Sequence, residues 1–386
     1  MTRRPHVVLE CLQVRENPAG TARGIMDLCW ALAERDRGLD FTVLTTDRGV
    51  FAELEDRHGW RVRECPQARG GSLKKAMFTQ FRLPGLVRDL KGDLLHSMQF
   101  LVPLRSPCRQ VATVHDLAWM LHPKTIEEPR LSYYRWLVPR SLERVDAIVA
   151  NSRATAAEVT RFFPGTADKI HITPHGTPRW VLDRVCDKSR QQLPGTRPFF
   201  LFVGTMEPRK NLVRLMDAYE AFIASDQVRE DHGETVPDLV LVGGRGWKDS
   251  RLQGRIADLQ AKGCLRVVEY CHPDDLWSLY CSALALVFPS LNEGFGLPIL
   301  EAMAAGLPVL TSDRSGTAEV AGDKALLVDP ENTASIAKGL ARLAFDGELR
   351  TKLAAGGLER ARQWSWSSTA DLTVSVYRRL LDPGSG

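Results

Sequence analysis

The chain has 386 residues, 44% hydrophobic and 25% charged, ordinary values for a globular protein and enough length for two hydrophobic cores instead of one. No apolar run reaches the roughly 18 residues of a membrane span, and Met1 to Glu10 lacks the apolar stretch of a secretory signal, so a cytoplasmic location is expected. The net charge of +4 divides into +9 over residues 1–200 and −5 over 201–386; the first half is expected to face something anionic, but its charge is too dispersed to indicate nucleic acid.

Along the chain, short apolar runs alternate with helical patterns, the signature of βαβ units and parallel sheets. The first half reads as strands at His6–Leu9, Phe41–Thr45, Leu94–His96, Gln110–His115, Ala147–Ala150 and Ile170–Thr173, with helices such as Gly24–Arg35 and Ser132–Arg144 between them. Residues 61–90 are basic, and Leu73, Met77, Phe78 and Phe81 recur there near helical spacing. This pattern fits either a surface for the inner face of an anionic membrane or an ordinary helix with its apolar side in the core. Periodicity fades between Pro174 and Pro198, which places a linker at 179–197. A second series follows at Phe199–Val203, Leu239–Val242, Leu265–Tyr270, Ala285–Phe288, Pro308–Leu310 and Ala325–Val328. The last stretch, Ser367–Leu381, reads as an amphipathic helix with Leu372, Val376, Tyr377 and Leu380 on one face. Eight scattered cysteines without a C-x-x-C pair argue against a zinc cluster or a disulfide framework and suit a reducing compartment. The expected architecture is α/β: two Rossmann-like, doubly wound parallel-sheet domains with the ligand site in an interdomain cleft.

The densest chemical signal runs from Ala285 to Leu310. It reads as a buried strand, a glycine-containing loop and a helix that starts near Leu297 with Pro298 in its first turn. Free N–H groups at such a helix start, with glycines that let a ligand approach, suit a pyrophosphate. Glu301 stands among apolar neighbours and needs partners, for which sugar hydroxyls are natural candidates; an acidic residue early in a helix is also favourable by itself. Glu293, eight positions earlier across Gly294-Phe295-Gly296, strengthens the ligand reading.

Glu293-Gly-Phe-Gly-Leu-Pro-Ile-Leu-Glu301 resembles the E-x7-E motif of family 4 retaining glycosyltransferases, which have the GT-B fold. The resemblance implies that Glu293 meets hydroxyls of the donor sugar and Glu301 the ribose, while the backbone of Gly294, Phe295, Gly296 and Leu297 contacts sugar and diphosphate. Phe202-Val-Gly-Thr-Met-Glu-Pro-Arg-Lys-Asn-Leu also resembles the family, where an Arg/Lys pair binds the diphosphate; two cations at a strand end would neutralise that leaving group. Thr205 departs from members that carry an arginine directly after the glycine, so Lys210 is the firmer assignment and Arg209 the second. The Val242-Gly-Gly-Arg-Gly-Trp piece resembles another strand-end loop of these enzymes. His272, after Tyr270-Cys271, is either a nucleobase contact or a water-exposed loop histidine. In the first half, the loop containing Ala19 and Gly20 resembles the family's glycine loop near the diphosphate, and Val114-His-Asp-Leu makes His115 a candidate for the sugar or acceptor. Asn151-Ser152 and Pro174-His-Gly occupy two further strand ends.

By this resemblance residues 1–178 form an acceptor-binding domain completed by a crossover helix at 367–382, and residues 198–366 bind the nucleotide sugar. The implied reaction moves a hexose, expected to be mannose from GDP-mannose, to a hydroxyl of a glycan or lipid-linked acceptor in cell-surface polysaccharide synthesis, with retention of configuration. No D-x-D occurs, so no metal and no cofactor beyond the nucleotide-sugar co-substrate is expected. The alternatives are a nucleotide-sugar epimerase, a sugar-phosphate-utilising phosphorylase or another GT-B enzyme, and a non-catalytic sugar-nucleotide sensor. A dinucleotide oxidoreductase lacks its glycine fingerprint here.

Overall fold

The apolar runs of the sequence become two all-parallel sheets in the computed structural model, which describes residues 3–16, 18, 20–123, 126, 128–186, 197–225, 236–244, 250–269 and 271–382. One unit comprises Met1–Gly176 with Ser365–Gly386, the other Thr177–Trp364. In the first, β1 (His6–Glu10), β2 (Asp40–Thr45), β3 (Arg61–Glu64), β4 (Leu94–Ser97), β5 (Arg109–Val114), β6 (Ala147–Ala150) and β7 (Ile170–Ile172) lie in the order β3-β2-β1-β4-β5-β6-β7. In the second, β8 (Phe199–Val203), β9 (Asp238–Val242), β10 (Leu265–Val268), β11 (Ala285–Phe288), β12 (Val309–Ser312) and β13 (Leu326–Val328) lie in the order β10-β9-β8-β11-β12-β13. Val7 pairs with Phe41 on one side and Leu94 on the other, and Leu286 likewise lies between Leu201 and Val309. β1, β4, β6, β11 and β12 are buried along their whole length. Helices must therefore cover both faces, which is why these strands read as continuous apolar runs without alternation.

Each sheet winds outward in both directions from a central pair, β1/β4 and β8/β11. At that reversal the two connections leave on opposite faces, opening a crevice at the carboxyl ends of the strands.

Three sequence-based expectations need correction. Residues 61–64 belong to the edge strand β3 and not to a helical surface; only Val62 of that strand is buried, too little apolar pattern to announce it. The final helix, Trp366–Leu381, does pack on the first unit, with Trp366, Ala370, Val374, Val376 and Tyr377 buried, but Leu372 is 44% exposed. The helix turns by 3.6 residues, and its buried stripe runs through 366, 370, 373–374 and 377, which leaves 372 on the outside. Finally, Cys186 and Cys281 form a disulfide with 5.4 Å between their Cα atoms. They are 95 positions apart in sequence, so no local spacing could reveal the pair. Cysteine usage consequently no longer argues for a reducing compartment.

The helix Ser72–Phe81 divides its apolar residues. Ala76 and Phe78 enter the core, while Leu73, Met77 and Phe81, spaced four apart, are 52%, 56% and 77% exposed. Among the described residues no helix is long and apolar enough to cross a membrane.

Candidate active site

In the second unit the loops leaving β8 and β11 flank the reversal of strand order, and they carry the charged residues singled out in the sequence. After β8 the chain passes through Gly204 at φ 152° and a single 3-10 turn, Pro208–Lys210. Glycine is required there because the backbone conformation is one that side chains disfavour, and Gly243, after β9, must be glycine because a side chain on it would strike the Gly204 carbonyl. After β11, Pro289–Gly296 leads to the helix Leu297–Ala304. Gly296 caps that helix at φ 107°, and Pro298 lies in its first turn.

Arg209 and Lys210 reach from the first loop to Glu293 on the second. Arg209 Nη1 donates to Glu293 Oε2 at 2.6 Å and its Nε to Glu207 at 3.0 Å, while Lys210 Nζ donates to Glu293 Oε1. Lys210 also lies 4.8 Å from the centre of the Phe288 ring. Burial alone would push the Glu293 carboxyl up, but the Arg209 and Lys210 charges and their hydrogen bonds overcome it and hold the group at about 2. The two loops are fastened by backbone as well, Leu291 N donating to Arg209 O at 2.8 Å.

Asn211, which the sequence reading left without a role, completes the fastening. Its backbone is left-handed at φ 62°, and its buried Nδ2 donates to the carbonyls of Pro289 (3.0 Å) and Pro330 (2.7 Å). Asparagine tolerates that conformation and offers two donors, so it can start the helix Leu212–Ile223 and tie down two neighbouring loops. The only sequence signal was its place after the Arg-Lys pair.

Glu301 lies on the second turn of its helix and is buried. Trp180 Nε1 donates to Oε1 at 3.1 Å and the Tyr280 hydroxyl to Oε2 at 2.7 Å. The carboxylate that seemed to need sugar hydroxyls thus has protein donors, neither of which the sequence reading identified. Trp180 falls in the stretch where periodicity fades, and Tyr280 looked like any core tyrosine.

The other candidates are placed as follows. Gly294, Phe295 and Leu297 are buried, and the Phe295 ring packs edge-on to Trp364, 5.3 Å between centres. Gly316 approaches so closely that a side chain there would strike the Gly294 carbonyl. Thr205 is exposed. His272 is exposed and caps the helix Pro273–Ser282, its Nδ1 accepting from Asp274 N at 3.4 Å. Ala19, Tyr270 and residues 245–247 of the Gly-Gly-Arg-Gly-Trp piece lie outside the described residues, as does 187–196 of the expected linker.

In the first unit Gly20 caps the helix Thr21–Ala33 at φ 52°. His115 follows β5; its Nε2 lies 2.9 Å from Met98 O. A carbonyl only accepts, so Nε2 carries the proton and Nδ1 is the free lone pair of a neutral ring. Burial lowers its pKa, which keeps the ring neutral. His175 stands 5.7 Å from His115 and 5.3 Å from Trp366, centre to centre, and its pKa is lowered by burial to about 3.

Comparison with known proteins adds an independent line. Residues 185–360 match the family described as glycosyl transferases group 1, and residues 18–179 match glycosyltransferase family 4. The chain is 32% identical over 299 residues to the O-antigen chain mannosyltransferase B of Escherichia coli, covering 76% of each protein. It is 29% identical over 299 residues to the serotype-specific mannosyltransferase WbdA of the same organism, covering 74% of this chain but 36% of that longer protein. Among solved structures, sucrose-phosphate synthase from Thermosynechococcus elongatus superposes with a TM-score of 0.75 at 20% identity, over 99% of this chain and all of that one.

Proposed function

The chain belongs to the group 1, family 4 glycosyltransferases of GT-B fold, and on that premise we propose that it transfers mannose from GDP-mannose, with retention, to a hydroxyl of a glycan or lipid-linked acceptor in cell-surface polysaccharide synthesis. The observation that carries this reading is the ionic cluster of Glu293, Arg209 and Lys210 at the crevice between β8 and β11. Similarity to an O-antigen chain mannosyltransferase and to a serotype-specific mannosyltransferase favours mannose over other hexoses.

In this account the acceptor oxygen attacks the anomeric carbon from the face that the diphosphate leaves. The carbon–oxygen bond to phosphate breaks, and a phosphate oxygen takes the acceptor's proton. The side chains then position groups and stabilise charge, without forming a covalent intermediate. Arg209 and Lys210 donate to the diphosphate as negative charge accumulates on it. Drawing them from Glu293 would leave a buried carboxylate short of donors, and the hydroxyls of the donor sugar restore them. The N–H groups at the start of Leu297–Ala304 add further donors for phosphate. With two fixed cations in place, the reaction needs neither metal nor cofactor beyond its co-substrate.

Leu73, Met77 and Phe81, beside Lys74 and Arg82, form an apolar stripe with a basic margin. It fits an anionic membrane surface carrying the lipid-linked acceptor.

The direct test is a panel of UDP-, GDP- and ADP-sugars, each assayed for acceptor-dependent release of nucleoside diphosphate. GDP-mannose is expected to turn over fastest; preference for another donor replaces the mannose assignment, and silence across the panel contradicts transferase activity.

A further inference from the structure

The two carboxylates of the Glu293–Glu301 motif are held by different groups. Glu293 has a cation on each oxygen. On Glu301 an indole N–H and a phenol O–H each donate to one oxygen and fix the direction of the carboxylate.

The donors are themselves immobilised, and by one face of one helix. Trp180 belongs to the short helix Arg179–Leu182, and Tyr280 to Pro273–Ser282. The Trp180 ring packs 6.2 Å from Trp277 and 6.4 Å from Tyr280, centre to centre. Arg184 lies 5.4 Å over the Trp180 ring, donates back to Trp180 O at 2.8 Å and forms an ion pair with Asp274 at 2.7 Å. The Cys186–Cys281 disulfide closes the same junction. Asp274, Trp277 and Tyr280 follow one another at three-residue steps, with Cys281 adjoining, so a single helix face grips the segment 180–186. Burial and the adjacent carboxylate push the Tyr280 phenol well above its ordinary pKa, so it can act toward Glu301 only as a donor.

We propose that Trp180 and Tyr280 are positioning residues that hold Glu301 as a directed acceptor for the ribose hydroxyls of the nucleotide. The inference rests on the ribose role given to Glu301 above. An oriented anion meeting a hydroxyl discriminates strongly against a sugar that lacks it, because the buried acceptor is then left short of a donor.

The test measures binding of GDP and of 2′,3′-dideoxy-GDP by calorimetry to the wild-type chain and to Trp180→Phe, Tyr280→Phe and Glu301→Gln, with thermal melts confirming that each variant folds. Trp180→Phe keeps the aromatic packing and removes only the donor. The expected result is that each of the Trp180 and Tyr280 variants weakens GDP about tenfold, while affinity for the dideoxy nucleotide stays within about twofold. Equal losses for both nucleotides would assign Trp180 and Tyr280 a merely structural role and overturn the inference, as would unchanged GDP binding in both variants. If Glu301→Gln abolishes the preference for the ribonucleotide but the other two variants keep it, the positioning role alone fails. If Glu301→Gln keeps the preference, the ribose assignment itself fails.

Discussion

At the residue scale, the proposed function rests on four side chains on two loops, Glu207, Arg209, Lys210 and Glu293, whose formal charges cancel. Removing Lys210 or Glu293 unbalances the charge of a largely buried cluster, which costs more than the lost contact itself. Lys210→Ala is expected to lower kcat by about a hundredfold or more, as loss of a donor to developing charge does elsewhere, with steady-state kinetics as the measure; an active Lys210→Ala would remove the cluster from the chemistry. The cluster also has a pH signature. Glu293 is held near 2 in the folded chain against an ordinary 4.5, so its ionised form stabilises the fold. That contribution is complete above about 4.5 and disappears as pH falls toward 2. Glu293→Gln should therefore flatten the loss of thermal stability between pH 4.5 and 3 relative to wild type; parallel curves would show that the carboxylate is not linked to folding. Of these, Arg209, Lys210 and Glu293 were legible because their chemistry stands in consecutive motifs, while Glu207 was passed over. Asn211, Trp180 and Tyr280 were not legible either, since what each does depends on a partner 21 to 121 positions away.

At the element scale, the closing helix Trp366–Leu381 is the clearest case of a distant segment completing a core. His96 on β4 hydrogen-bonds Tyr377 of that helix at 2.6 Å and Thr113 of β5 at 2.7 Å, and Thr369 donates to Pro174 O. A chain ending at Trp364 is expected to lose the first unit's cooperative unfolding transition in calorimetry while keeping the second; survival of both would make the helix dispensable. Burial lowers His96 to about 3, so it folds as a neutral ring. Because the folded value lies below the unfolded 6.5, its contribution is present above pH 6.5 and is lost as pH falls toward 3. The amphipathic pattern of this helix was visible in the sequence, but its phase was misjudged at Leu372, since several apolar residues on a short helix permit more than one face. The strand β3 was missed for the opposite reason: an edge strand with one buried residue carries little apolar pattern at all. The exposed stripe of Ser72–Phe81 gives its own prediction. Vesicles rich in anionic lipid should retain the wild-type chain at low salt and release a Leu73→Ser, Met77→Ser, Phe81→Ser variant; equal sedimentation of the two would exclude that face as the contact.

At the scale of the whole molecule, each unit has its own sheet and core, so stability is a property of two units. The Cys186–Cys281 bond lies wholly in the second and closes a separation of 95 residues; a loop of that length contributes about 4 to 5 kcal/mol in the chain-entropy account. Reduction by dithiothreitol should lower the second unit's transition and leave the first in place, and unchanged calorimetry would show that the bond contributes nothing. The doubly wound order was inferable from alternating runs and helical spacers, because both sheets follow the same winding rule. The disulfide obeys no such rule. The central claim is that donor transfer occurs at the Glu293–Arg209–Lys210 cluster, and it is tested most directly by following GDP-mannose with a mannose-terminated acceptor by proton NMR, in excess EDTA, for the wild-type chain and Lys210→Ala. The account predicts GDP release and a new glycosidic bond with the donor's anomeric configuration for wild type, and turnover slowed about a hundredfold or more for the variant. An inverted product, strict dependence on a divalent metal, or equal turnover by Lys210→Ala would contradict it.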